Sequence, residues 1–106
     1  MIVFLTARRL KPGSFEQFRE AWEPSEWPEK FVRAYHVRSI HDPDEVVSFG
    51  FYDASLEEFR ADMDAGARDQ AQEDERQRRM APFVESESLD GVFEAIDEVN
   101  PHGRQL

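Results

Sequence analysis

The side chains of this sequence that exchange a proton near neutral pH are its three histidines, His36, His41 and His102. His41 falls in the turn-forming stretch His41-Asp42-Pro43-Asp44, and His102 follows Asn100-Pro101, so both are expected to be solvated surface groups. His36 differs, because it sits inside a strand-like run and shares a face with Val32, Ala34, Arg38 and Ile40. It reads either as a packed, hydrogen-bonded histidine of a core or interface, or as a general base. In the next strand-like run Ser48, Gly50 and Tyr52 share one face, and the small residues leave room above a sheet. His36 moving a proton and Tyr52 orienting a substrate are the catalytic candidates. Thr6, Trp22, Trp27, Ser48 and Gly50 are the candidate substrate-binding set, with hydroxyls as polar contacts and indoles as apolar walls. The competing reading packs a helix closely over Gly50 and buries both tryptophans as core. Arg33 and Arg38 can each pair a substrate carboxylate, but in so acidic a chain a structural ion pair is the simpler account of them.

Other chemistries are not legible. No second histidine stands at metal-ligand spacing, so no metal is expected. The acidic residues Glu85, Glu87, Asp90, Glu94, Asp97 and Glu98 fit no compact cation loop and read as a solvated face. There is no cysteine, which excludes disulfides and thiol nucleophiles and suits a reducing, cytoplasmic setting. Gly13, Gly50 and Gly66 are isolated and build no phosphate loop, and Ser14 and Ser55 read as helix caps. A net charge of −10 repels phosphate backbones and anionic lipid, so neither nucleic acid nor membrane is an expected partner.

These candidates need elements to hold them. Ile2 to Arg9 is β-branched and aromatic and reads as a buried first strand, not a leader peptide. After the Lys11-Pro12-Gly13 turn, Ser14 opens a helix with a capping box to Gln17, and Phe15, Phe18 and Trp22 form its apolar stripe. Pro24 and Pro28 end it. Phe31 to Ile40 reads as a second strand, with Phe31, Arg33, Tyr35 and Val37 on one face. Glu45 to Tyr52 reads as a third. Ser55 opens a second helix with a capping box to Glu58 and the stripe Leu56, Phe59, Met63. Gly66 bends or restarts it, and the polar stretch Arg68 to Arg79, supported by Asp74–Arg78 and Glu75–Arg79 pairs, is a candidate mobile flap. Phe83 to Leu89 alternates as a fourth strand, Asp90-Gly91 suggests a bulge, and Val92 to Ile96 continues extended. The domain is expected to span residues 1–97, with 98–106 a flexible tail.

Ser14-Phe15-Glu16-Gln17-Phe18-Arg19 matches Ser55-Leu56-Glu57-Glu58-Phe59-Arg60 in cap, stripe and charge, and each segment lies between strands. The doubling predicts an α+β, ferredoxin-like βαββαβ fold: a four-stranded antiparallel sheet with both helices on one face. The opposite face also reads apolar, with Val3, Leu5, Val47, Phe49 and Phe51. A second copy packed sheet to sheet is therefore expected, giving a homodimer.

With these features in place the chain resembles the dimeric α+β barrel superfamily, and more closely the antibiotic-biosynthesis-monooxygenase-like domains. The likeness rests on the opening strand with Lys11-Pro12-Gly13, the aromatic helix ending in Trp22, the Asp42-Pro43-Asp44 turn and the helix after Tyr52-Asp53-Ala54-Ser55. It implies a small-molecule-binding dimer, with cofactor-free monooxygenase-like activity on an aromatic or polyketide-like substrate. The sequence departs from enzyme members at Gly50 and Tyr52, where many carry an acidic residue and a tryptophan. Haem-degrading members carry a histidine on the second helix, and Ser55 to Met80 contains none, so no cofactor is expected. The alternative is a non-catalytic dimerisation or interaction module, with side chains filling the space over Gly50.

Overall fold

The computed structural model describes residues 1–104; Gln105 and Leu106, the end of the expected tail, lie outside the described residues. The elements are β1 (Ile2–Leu10), α1 (Phe15–Trp22), β2 (Phe31–Arg38), β3 (Glu45–Tyr52), α2 (Leu56–Asp64), α3 (Gln70–Met80), a 3-10 turn (Ala81–Phe83) and β4 (Val84–Glu94). The strands form one antiparallel sheet in the order β2-β3-β1-β4, the ferredoxin-like arrangement expected from the doubled sequence. No described helix is long and apolar enough to cross a membrane.

Two cores pin helices to one face of the sheet. At one end Phe18 of α1 and Met80 of α3 bury against Leu10 and Val46. At the other, Leu56 and Phe59 of α2 pack on Ile2, Phe4 and Tyr52. Between them lies the middle of the sheet, which becomes the floor of the cleft described below.

Several local expectations are corrected. Ser14 makes no side-chain cap to α1. Its N–H is engaged by Lys11 O in the preceding turn, and its φ/ψ of −98°/8° is not the extended conformation that aims a hydroxyl at the first helical turn. The Ser55–Glu58 capping box is present, with Glu58 N donating to Ser55 Oγ and Ser55 N to Glu58 Oε1. The second strand ends at Arg38, and Ile40 is exposed. Its register shifts between Phe31 and Arg33, so Val32 bulges outward and Phe31 turns to the helix-covered face. Simple alternation had put Phe31 with Arg33. The β4 irregularities fall opposite Ala7/Arg8 and Arg9/Leu10, which displaces Ser88 and Glu85, while Asp90 and Gly91 pair regularly with Thr6 and Leu5.

The polar stretch forms α3, but side chains tie it down. Arg76 Nη1 donates to Trp22 O at 2.8 Å, and Arg79 donates to Ala21 O and Glu23 O. These carbonyls lie at the C-terminal end of α1, where backbone acceptors lack helical partners and attract cations. Arg79 also pairs with Glu75 as expected, whereas Asp74 accepts from Gln70.

Candidate functional site

The strand register arranges the helix-covered face in rows. His36, Ser48, Thr6 and Asp90 are consecutive cross-strand partners from β2 to β4. One step along each strand pair stands the row Ala34, Gly50, Phe4, Val92; on the other side stand Arg38, Val46, Arg8 and Glu87. A polar row thus separates an apolar floor from a charged one. Over this floor opens a cleft of about 680 Å³. Thr6, Trp22, Trp27, Ser48, Gly50 and Tyr52 all line it; His36 does not.

The apolar wall is aromatic. The ring of Phe31 lies over Gly50, where an added Cβ would come within 2.4 Å of it. Trp27 packs on Phe31 at 4.8 Å between centroids, and Trp22 on Trp27 at 5.5 Å. The room that Gly50 leaves is taken partly by a strand side chain and not by a helix, and the cleft opens beside it. Gly50→Ala is expected to displace Phe31 from between Trp27 and Phe4 and to destabilise the protein by about 1–3 kcal/mol. The urea midpoint measures this, and Phe31→Leu in the same chain should restore part of the loss.

The polar wall carries arginines that the sequence did not single out. The Arg8 side chain is 4% exposed. Its Nε meets Glu87 at 3.2 Å, its Nη1 donates to Thr6 Oγ1 at 2.8 Å, and its guanidinium lies 5.3 Å from the Phe18 ring centre. Burial lowers its affinity for the proton, and Glu87 opposes that. Arg76 grips Glu73 with two hydrogen bonds, and Arg68 reaches the same carboxylate at 3.0 Å. Arg8 has the same alternation phase as Thr6 and Phe4, which was the available sequence signal. Of the two arginines read from sequence, Arg38 lies over the Phe15 ring and neither lines the cleft.

The two catalytic candidates are placed differently. Tyr52 contributes its ring, while its hydroxyl donates to Asp62 Oδ2 at 2.8 Å, beside Lys30 on the same oxygen at 2.9 Å. Burial and the Asp62 carboxylate both raise the tyrosine's pKa. His36 stands behind Ser48, with Nδ1 2.7 Å from Ser48 Oγ, and three rings enclose it edge-on: Phe15, Phe18 and Trp22. Its Nε2 is buried and, among the described residues, has no hydrogen-bond partner. Burial, and then the charges of Arg19 and Arg8, push its pKa down to about 4.

These shifts give two pH windows. His36 binds its proton more weakly folded than unfolded, so its contribution is full above its ordinary pKa of 6.5 and fades as pH falls from there toward 4. For Glu73, burial alone would raise the pKa, but hydrogen bonds from Arg76 and Gln77 and the charges of Arg76 and Arg68 bring it to about 2. Its contribution is full above the ordinary 4.5 and is lost from there toward 2. Unfolding midpoints measured against pH should therefore lose slope in the upper window with His36→Gln and in the lower with Glu73→Gln. An unchanged upper slope in His36→Gln would rule out the buried-neutral histidine.

No family model matches the sequence, and no curated protein matches it. The fold does match solved structures. A proposed antibiotic biosynthesis monooxygenase from Chloroflexus aurantiacus superposes with a TM-score of 0.62 at 12% identity, over 93% of this chain and 96% of that one. One from Nitrosomonas europaea gives 0.61 at 19% identity, over 92% and 100%. An uncharacterised NIPSNAP domain protein from Burkholderia xenovorans gives 0.59 at 16% identity, over 94% and 99%. At these identities the likeness is one of fold.

Proposed function

Starting from the fold that this chain shares with antibiotic-biosynthesis-monooxygenase-like proteins, we propose that it binds a small aromatic or polyketide-like molecule and acts as a homodimer. The observation that carries this reading is the cleft of about 680 Å³, aromatic on one side and polar on the other, over the middle of the sheet. Its size and mixed lining suit a small organic ligand. The dimer reading rests on the uncovered sheet face, where Tyr35, Phe49 and Phe51 form an aromatic cluster, and Val37, Leu89 and Phe93 are exposed. Mass spectrometry of material released on denaturing the purified protein tests the binding reading. A planar aromatic compound at stoichiometric yield is the expected result.

Cofactor-free monooxygenase-like turnover is the finer form of this proposal, with His36 acting on the ligand through Ser48 and Tyr52 shaping the wall. A non-catalytic binding or interaction module is the second reading. It is favoured by the commitment of the Tyr52 hydroxyl to Asp62 and by the position of His36 behind Ser48. Oxygen uptake with a polycyclic phenol separates them. Uptake that survives substitution of both His36 and Tyr52 would remove these residues from the chemistry, and no uptake in the native chain favours the second reading.

A further inference from the structure

The fold uses only part of the guanidinium at the polar end of the cleft. We infer that the cleft takes a planar apolar molecule bearing one carboxylate, seated with that carboxylate on the open edge of Arg8 beside Thr6 and Ser48. This rests on the cleft being a ligand site, as proposed above.

A guanidinium has five N–H donors. The contacts of Arg8 are Nε to Glu87 and Nη1 to Thr6, and among the described residues Nη2 has no hydrogen-bond partner. The side chain is 4% exposed and lines the cleft, and Nη2 is not among its buried unpartnered atoms, so the small exposed part of the guanidinium includes this edge, whereas its one paired carboxylate, Glu87, is 37% exposed. The neighbouring charges do not make up the difference. Arg76 adds like charge to Arg8, and its own partner Glu73 is already shared with Arg68. Asp90 acts on Arg8 at longer range without an ion pair. Arg8 pairs with Glu87, and Arg68 and Arg76 share Glu73, while among the described residues the other acids that line the cleft, Glu26, Asp69 and Asp90, make no ion pair with Arg8. One carboxylate on the unused edge of Arg8 completes the pairing of its guanidinium and can accept from Thr6 and Ser48 as well. Arg–carboxylate pairs of this kind are short and directional. The rest of the ligand meets Trp22, Trp27, Phe31 and Phe4, rings that favour a flat apolar body. The chain's net charge of −10 repels anions at a distance, so the selectivity is a contact effect within the cleft.

Calorimetric titration at pH 7 with naphthoate and with the near-isosteric naphthamide tests the assignment. Naphthoate is expected to bind about tenfold or more tightly than the amide, as a charge-assisted contact in a dry site predicts. Arg8→Gln should abolish that difference. Because Arg8 is buried and Arg8→Gln can fail to fold, Glu87→Gln provides a second test. Freeing the Nε edge should tighten naphthoate severalfold without moving the amide. Equal affinities for the two probes in the native chain overturn the carboxylate assignment and leave the cleft standing as a ligand site. Absence of binding by both overturns the two together.

Discussion

Leu5→Asp is expected to convert the proposed dimer into a monomer. Leu5 lies on the inner strand β1, on the face without helices, between its cross-strand partners Phe49 and Gly91. In a symmetric sheet-to-sheet pair the substitution enters the interface twice. A carboxylate buried there without a partner costs several kcal/mol after relaxation, so about 3–5 kcal/mol of association is lost. That corresponds to a rise of roughly 100-fold or more in the dissociation constant. Light scattering should show the mass falling from twice 12.4 kDa to 12.4 kDa at micromolar concentration. The cleft is on the opposite face, so naphthoate binding to the monomer should persist unless the partner completes the site. A native chain that already runs at 12.4 kDa would remove the dimer from the proposal.

The largest stability loss is expected from Phe18→Ala. Phe18 is fully buried against Leu10, Val46 and Met80, and its ring also meets His36 and the Arg8 guanidinium. Truncating a buried phenylalanine costs about 3–5 kcal/mol through lost transfer energy and the cavity left behind. A domain of this size has roughly 5–15 kcal/mol in total. The thermal midpoint should fall by on the order of 15 °C or more. Removing the ring also opens the aromatic box around His36, so the stability slope between pH 4 and 6.5 should flatten in the same variant. A loss below about 1 kcal/mol would mean that α1 is not held to the sheet through Phe18.

Most of the fold was legible because it rests on local periodicity. The stripes Phe15-Phe18-Trp22 and Leu56-Phe59-Met63 and the alternation of β1 and β3 are features of spacing, and each became the element it predicts. The errors were where a few atoms of backbone geometry outweigh pattern. Ser14 has the residue type of a cap but not the φ/ψ, and the bulge at Val32 reverses the face of Phe31 by one residue. Nothing in the residue types around Phe31 marks that bulge. The same limit separates the site residues. Thr6, Ser48, Gly50, Trp22, Trp27 and Tyr52 line the cleft because they occupy the inward phase of strands or the inner side of the α1 end, a property of spacing.

By itself, the sequence determined the doubled βαβ architecture, the two apolar faces of the sheet and the set of small and aromatic residues over its middle. Only the tertiary structure decided how polar groups were used. Pairing β1 with both β3 and β4 places Arg8 against Glu87, 79 positions away in the chain, and Thr6 beside Ser48 in the adjoining row. It also committed the Tyr52 hydroxyl to Asp62 and enclosed His36 among rings. Burial of apolar surface is non-directional and follows from periodicity. A hydrogen bond or ion pair needs its partner within about 3 Å, and that proximity comes from strand register, which no single stretch of sequence contains.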